Sequence, residues 1–337
     1  MSKLKVAYFG TPHIAVPSLE ALAKNSSIDL SFVGVFPDKP KGRKQILTPC
    51  PVKEKALALG LQIKEVRGKE DLVKLFEAED FDLAIVIAFG MIFPASLFQD
   101  PSHTTGLSKK DIINVHFSLL PQYRGASPVQ SAILNGDEVS GITFQRMVYE
   151  LDAGDVLWQK EYHIAHQKTS QIWEKFAQHT AQELPHFLEA YQDKTLTTCP
   201  QPPAPTFCGK FKKEDGLVDL QKDSPESIYR KYLAFDIWPG IYVQTGLGRL
   251  KLTEIERAPT GTINILRAQL EGKKEMPIAE ILRGHPDLLV GKKYNPDQDN
   301  TTWFIPYLTG KQKGYQENKK PHRSFIFFHP KWKAYEQ

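Results

Sequence analysis

The sequence predicts a Rossmann-like α/β domain built on a parallel-rich sheet, followed by a smaller β-rich domain. Three observations carry this. Strand-like and helix-like patterns alternate over residues 4–165, the order expected of a parallel sheet with helices on both faces. Thr195 to Thr206 contains Pro200, Pro202, Pro203 and Pro205, and reads as a stiff, extended linker. Short strand-like runs follow, at 241–244 and 249–252. The expected layout is a first domain over 1–194, the linker over 195–206 and a second domain over 207–337.

Leu4 to Phe9 reads as the first strand, and Ile14 to Ala23 as a helix with apolar residues on one face. Leu30 to Phe36 and Leu83 to Phe89 are apolar runs of buried-strand length. Lys53 to Leu59 and Asp71 to Ala78 have helical spacing. Ile112 to Val115 and Gly141 to Val148 are further strands. Ser170 to Tyr191 has helical spacing through Ile172, Phe176, Leu184, Phe187 and Leu188, interrupted by Pro185.

At 337 residues two domains are expected. The chain is 41% hydrophobic and 24% charged, ordinary values for a soluble globular protein. The longest apolar stretch, Leu83 to Phe89, falls far short of the ~20 residues needed to span a bilayer. The first residues lack the apolar segment of a signal peptide. Cys50, Cys199 and Cys208 have no paired metal spacing. Free thiols in a cytoplasmic protein without a metal are the expectation. The net charge of +4 is uneven: residues 206–337 hold 22 Lys and Arg against 16 Asp and Glu. A basic second half suits a polyanionic partner or a solvated basic face.

The chemistry concentrates between Ile113 and Leu157. Asn114 and His116 are two apart in a strand-like run, so they point the same way while Ile113 and Val115 point the other. Asp152 follows 36 residues later, beyond the second strand-like run. An amide donor, an imidazole and a carboxylate suit chemistry on a carbonyl. Asn114 and His116 also fall at a strand carboxyl end, where ligands bind in such sheets. The first turn, Gly10-Thr11-Pro12-His13, lacks the second glycine of G-x-G-x-x-G. That argues against NAD.

The strings Asn114-Val115-His116-Phe117-Ser118-Leu119-Leu120-Pro121, Tyr123-Arg124-Gly125-Ala126-Ser127-Pro128 and Leu151-Asp152-Ala153-Gly154-Asp155 resemble the folate-dependent formyltransferases. Phe9-Gly10-Thr11-Pro12, the stretch from Pro37 to Arg43, and Glu271-Gly272-Lys273-Lys274 extend the match. It is strong over residues 1–165 and patchy beyond. The Ala-Ser-Pro and Leu-Asp-x-Gly-Asp forms resemble the bacterial branch that acts on methionyl initiator tRNA.

The resemblance implies transfer of the formyl group of 10-formyltetrahydrofolate to an amine. It assigns Asn114 and His116 to oxyanion stabilisation and proton handling, and Asp152 to positioning the imidazole. Ser118, Leu119, Leu120 and Pro121 would form part of the folate pocket. Phe89, Gly90, Met91 and Ile92 either wall that pocket or are core. Tyr123, Arg124 and Gly125 either position substrate or make a structural ion pair. The loop from Pro37 to Pro51 resembles one that enters the tRNA acceptor stem, which makes Lys41, Arg43 and Lys44 candidate tRNA contacts.

The family ends in a small OB-like barrel. Here only 31 residues separate Trp238-Pro239 from Glu271-Gly272, and five average strands with four short connections need about 40. The barrel is either trimmed or completed by later segments, at 302–305 or 324–328. The tail after Gly310 interleaves basic residues with Tyr315, Phe325 and Trp332, a pattern that suits RNA ends or an exposed tail.

Overall fold

Val6 to Phe9 and Leu83 to Ile85 are buried throughout. Runs that are apolar on both faces belong in the centre of a parallel sheet, where helices cover each side. The computed structural model of the chain describes residues 3–42, 44–98, 110–258, 261–286 and 288.

The first part forms β1 (Leu4–Gly10), α1 (Val16–Lys24), β2 (Ile28–Val35), a hairpin of β3 (Lys39–Lys41) and β4 (Ile46–Thr48), then α2 (Pro51–Ala58) and β5 (Ile63–Glu65). It continues with α3 (Lys69–Ala78), β6 (Leu83–Ile87), β7 (Asp111–His116), β8 (Arg124–Gly125), α4 (Pro128–Asn135), β9 (Val139–Arg146), β10 (Val156–His163) and α5 (Thr169–Gln192). Seven of these strands make one sheet in the order β10-β9-β7-β6-β1-β2-β5. From β5 to β7 every pairing is parallel. The chain order reverses between β1 and β6, the switch point where open α/β sheets bind ligands.

β9 and β10 add antiparallel to the edge beside β7. Periodicity marks a strand but not its direction. Here the nine residues 147–155 between β9 and β10 are too few for a parallel crossover, which takes a dozen or more. β10 and α4 went unread in the sequence.

The core is aromatic. Phe9 stacks near Phe76 at 5.8 Å and meets Phe32, Phe89 and Phe93 edge-on at 5.8, 5.4 and 6.0 Å, the offset and edge geometries that ring quadrupoles favour. α5 runs unbroken through Pro185, contrary to the expected interruption. Proline removes one backbone donor from the helix. The burial of Leu184, Phe187 and Leu188 beside it outweighs that loss.

The segment 195–206 is extended but tied down. Cys199 and Val156 exchange two backbone bonds, of 2.8 and 2.9 Å. The N–H groups of Tyr123 and Arg124 donate to the hydroxyl and carbonyl of Thr206, both at 2.8 Å. β11 (Phe207–Cys208) then pairs with β8.

Next come α6 (Pro225–Ala234), β12 (Ile241–Thr245), β13 (Gly248–Arg257), β14 (Ile263–Leu270), β15 (Met276–Pro277) and α7 (Ile278–Gly284). The four strands form an antiparallel meander among the described residues. Leu250, Leu252, Ile255, Ile263 and Ile265 are buried in it with Ile281 and Leu282. The register of β13 against β14 shifts twice around Glu254, which bends the strand. The segments 302–305 and 324–328, and the tail after Gly310, lie outside the described residues.

Candidate active site

Strand alternation sends Ile113 and Val115 into the core and brings Asn114 and His116 to one carboxylate. Asp152 stands in the turn between β9 and β10 with φ 48°, a left-handed conformation that Asp tolerates better than bulkier residues. Its Oδ2 accepts from the Gly125 N–H at 2.8 Å and faces His116 Nδ1 at 3.7 Å. Its Oδ1 accepts from Gln145 Nε2 at 2.8 Å and from Asn114 Nδ2 at 3.5 Å. The turn is tight: a Cβ on Gly154 would lie 1.7 Å from the carbonyl oxygen of Arg146.

His116 is buried, and its Nε2 lies 2.9 Å from the carbonyl of Tyr123. A carbonyl only accepts, so Nε2 carries a proton and donates. Nδ1 then faces Asp152 and is the ring atom at which a further proton would be held.

The loop after β7 is fixed from below. Ser118 donates to the carbonyl of Gln122 at 2.6 Å, and Thr143 donates to the carbonyl of Ser118 at 2.6 Å. Gln159 reaches the carbonyl of Leu120 at 3.0 Å. Tyr123, with φ 57°, donates its hydroxyl to Asp137 at 2.5 Å and accepts from Asn135 at 2.8 Å. Burial pushes the Asp137 carboxyl up from its ordinary range, and burial with the Asp137 hydrogen bond holds the Tyr123 phenol well above its own. Arg124 is buried, pairing with Glu150 at 3.3 Å and with Gln201 at 2.8 and 3.0 Å. In this structure Arg124 is a structural tie.

The structure thus brings Asn114, His116 and Asp152 together, with Ser118 and Leu120 buried behind them and Leu119 and Pro121 half-buried. The loop after β6 divides. Phe89 is in the core and stacks on Phe36 at 4.7 Å, and Met91 packs against that core. Gly90 is exposed, and Ile92 is 71% exposed. Lys41 and Lys44 are exposed at the end of the β3–β4 hairpin, where the sequence implied an open loop. Arg43 lies outside the described residues. Sequence reasoning missed Gln145, Gln159 and Gln201. Gln145 left a signal, a polar residue two after Thr143 within an otherwise buried strand. Gln201 left none.

Among the described residues no group of His, Cys, Asp or Glu could hold a metal ion, and no helix is long and apolar enough to cross a membrane.

The sequence matches the formyl transferase family model over residues 3–188 and the model of the formyl transferase C-terminal domain over 210–262. It is 36% identical over 286 residues to a methionyl-tRNA formyltransferase from Sulfurovum sp., covering 84% of this chain and 89% of that one. Two solved structures share the fold. A methionyl-tRNA formyltransferase from Clostridium thermocellum matches with TM-score 0.54 and 14% identity, over 81% of this chain and 99% of that one. HypX from Aquifex aeolicus in complex with tetrahydrofolic acid matches with TM-score 0.56 and 16% identity, over 87% of this chain and 49% of that one. With the family models spanning both parts of the chain and a relative this similar over most of its length, the chain belongs to the formyltransferase family.

Proposed function

We propose that this chain transfers the formyl group of 10-formyltetrahydrofolate to the α-amine of methionyl initiator tRNA, in the cytoplasm. The observation that carries the chemistry is the convergence of Asn114, His116 and Asp152 at the carboxyl end of β7, beside the switch point. Relatives about 35% identical over most of the chain bear the methionyl-tRNA formyltransferase name, which favours tRNA over an amino-sugar acceptor.

Formyl transfer passes through a tetrahedral centre bearing an oxyanion. Asn114 supplies a donor that does not titrate. The amine must lose a proton, and the folate nitrogen must gain one as it leaves. His116, whose Nδ1 faces the Asp152 carboxylate at 3.7 Å, is the group placed to carry that proton from one to the other. Asp152 keeps its place because Gly125 and Gln145 already donate to it.

The folate donor would lie against Ser118 to Pro121 on one side and Gly90 to Ile92 on the other. The exposed Ile92 side chain and the exposed backbone at Gly90 suit a flat ring. Phe89 serves as the floor under that loop. Lys41, Arg43 and Lys44 would meet tRNA phosphates.

The test is a formylation assay with labelled 10-formyltetrahydrofolate, offering methionyl initiator tRNA and an amino-sugar nucleotide side by side. Label on the tRNA alone is the expected result. Label on the sugar alone would move the function to that acceptor.

A further inference from the structure

The geometry points to Gln201, in the proline-rich stretch, as a positioning residue that holds Asp152 in register with His116. The inference rests on the catalytic roles proposed above.

Gln201 is saturated. Its Oε1 accepts from Arg124 Nε at 3.0 Å and Nη2 at 2.8 Å. Its Nε2 donates to the carbonyls of Asp152 at 2.8 Å and Gly154 at 2.7 Å. A side-chain amide offers two donors and two acceptor lone pairs, and all four are used. A further contact, of 3.5 Å, reaches Oε1 of Gln145, whose own Nε2 donates to the Asp152 carboxylate.

These bonds join the two loops that make the site. Arg124 belongs to the loop that supplies the Tyr123 carbonyl to His116 and the Gly125 N–H to Asp152. The carbonyls of residues 152 and 154 belong to the turn that carries the carboxylate. That turn is left-handed at Asp152, so it needs an outside hold. The Cys199–Val156 bridge, two residues before Gln201, delivers the amide to this place. An amide suits the position because it accepts from a guanidinium on one side and donates to carbonyls on the other. A glutamate would keep the first pairing and set a carboxylate oxygen against two carbonyl oxygens.

The test compares Gln201→Ala and Gln201→Glu with wild type, each alone and combined with Asp152→Asn. Steady-state formylation of methionyl-tRNA should show kcat lower by roughly 10²-fold in both single variants, the scale of an ångström-level misplacement. The KM for tRNA should change little. In the Asp152→Asn background the same changes should cost far less, because the group that Gln201 positions is already gone. Hydrogen exchange of the peptide 150–156, which needs no substrate, should be faster in both variants than in wild type. Gln201→Glu keeps the size and the Arg124 pairing, so it decides the matter if the alanine variant does not fold. Full additivity with Asp152→Asn, wild-type kcat, or unchanged exchange would overturn the role of Gln201. A wild-type enzyme inactive on methionyl-tRNA, with faster exchange still seen in the variants, would overturn the proposed function and leave the hold on the turn standing.

Discussion

Gly125 donates its backbone N–H to Asp152 Oδ2 at 2.8 Å, across a gap of 27 residues. The same oxygen faces Nδ1 of His116. One backbone donor therefore sets the carboxylate against the imidazole, and both loops must keep their shape for the site to exist.

Asp152→Asn should lose roughly 10²-fold or more in kcat, the usual scale for one electrostatic contributor in a site. The change removes the charge facing His116. It also replaces one acceptor by an amide NH₂ that must face either the Gly125 N–H or Gln145 Nε2. Steady-state kinetics with methionyl-tRNA check this, with circular dichroism to show an intact fold. Asn114→Ala should lose a comparable factor by removing the proposed oxyanion donor.

Gly125→Ala should damage both stability and rate. Gly125 has φ 124°, and an added Cβ would lie 2.0 Å from the carbonyl oxygen of Cys208. Strain of this kind costs about 1–3 kcal/mol, read as a lower denaturation midpoint at unchanged slope. The activity loss should exceed what the unfolded fraction explains, because the donor to Asp152 moves.

Tyr123→Phe should destabilise by about 1–3 kcal/mol, since it strips Asp137 of its hydroxyl donor. Burial already raises the Asp137 carboxyl above its unfolded value. The folded state therefore binds the proton more tightly, and stability falls as pH rises through the interval between the unfolded and folded values. The Tyr123 hydroxyl partly offsets that rise. Without it the interval widens, so the variant should lose more stability than wild type between acid and neutral pH. Denaturant unfolding across a pH series measures it. Parallel stability curves would show that the tyrosine does not act through Asp137.

Lys41→Ala combined with Lys44→Ala should raise the KM for tRNA severalfold and leave that for the formyl donor alone. The two lysines are exposed on a hairpin whose base is tied by Asp38 and Glu65 to Lys53, at 2.6 and 2.7 Å, so the fold should not change. If both meet phosphates, the log–log salt dependence of tRNA binding should become shallower by roughly 0.7–0.9 for each phosphate that is no longer neutralised. An unchanged slope would remove the hairpin from the interface.

The alternation from Leu4 to Val115 made β1, β2, β6 and β7 legible, because buried strands leave apolar runs that need no tertiary information, whereas the short, half-exposed edge strand β5 left no such run. The two-residue spacing of Asn114 and His116 likewise placed both on one face of β7. The antiparallel turn of β9 and β10 was not legible, because strand direction follows from loop length and pairing. Gln201 was invisible for a plainer reason. Prolines around it signal an extended backbone, and nothing local says which loops that backbone will lie against.

By itself, then, the sequence determined the alternation of strands and helices that marks a parallel-rich sheet, the strand end at which the polar groups gather, and the family to which they belong. Local periodicity and ordered motifs hold that much. The tertiary structure alone decided which donors hold Asp152, that Phe89 serves the core while Ile92 faces outward, and that the proline-rich stretch closes onto the turn that carries Asp152. Each of these depends on hydrogen bonds and packing between segments tens of residues apart, and such partners exist only once the chain has folded.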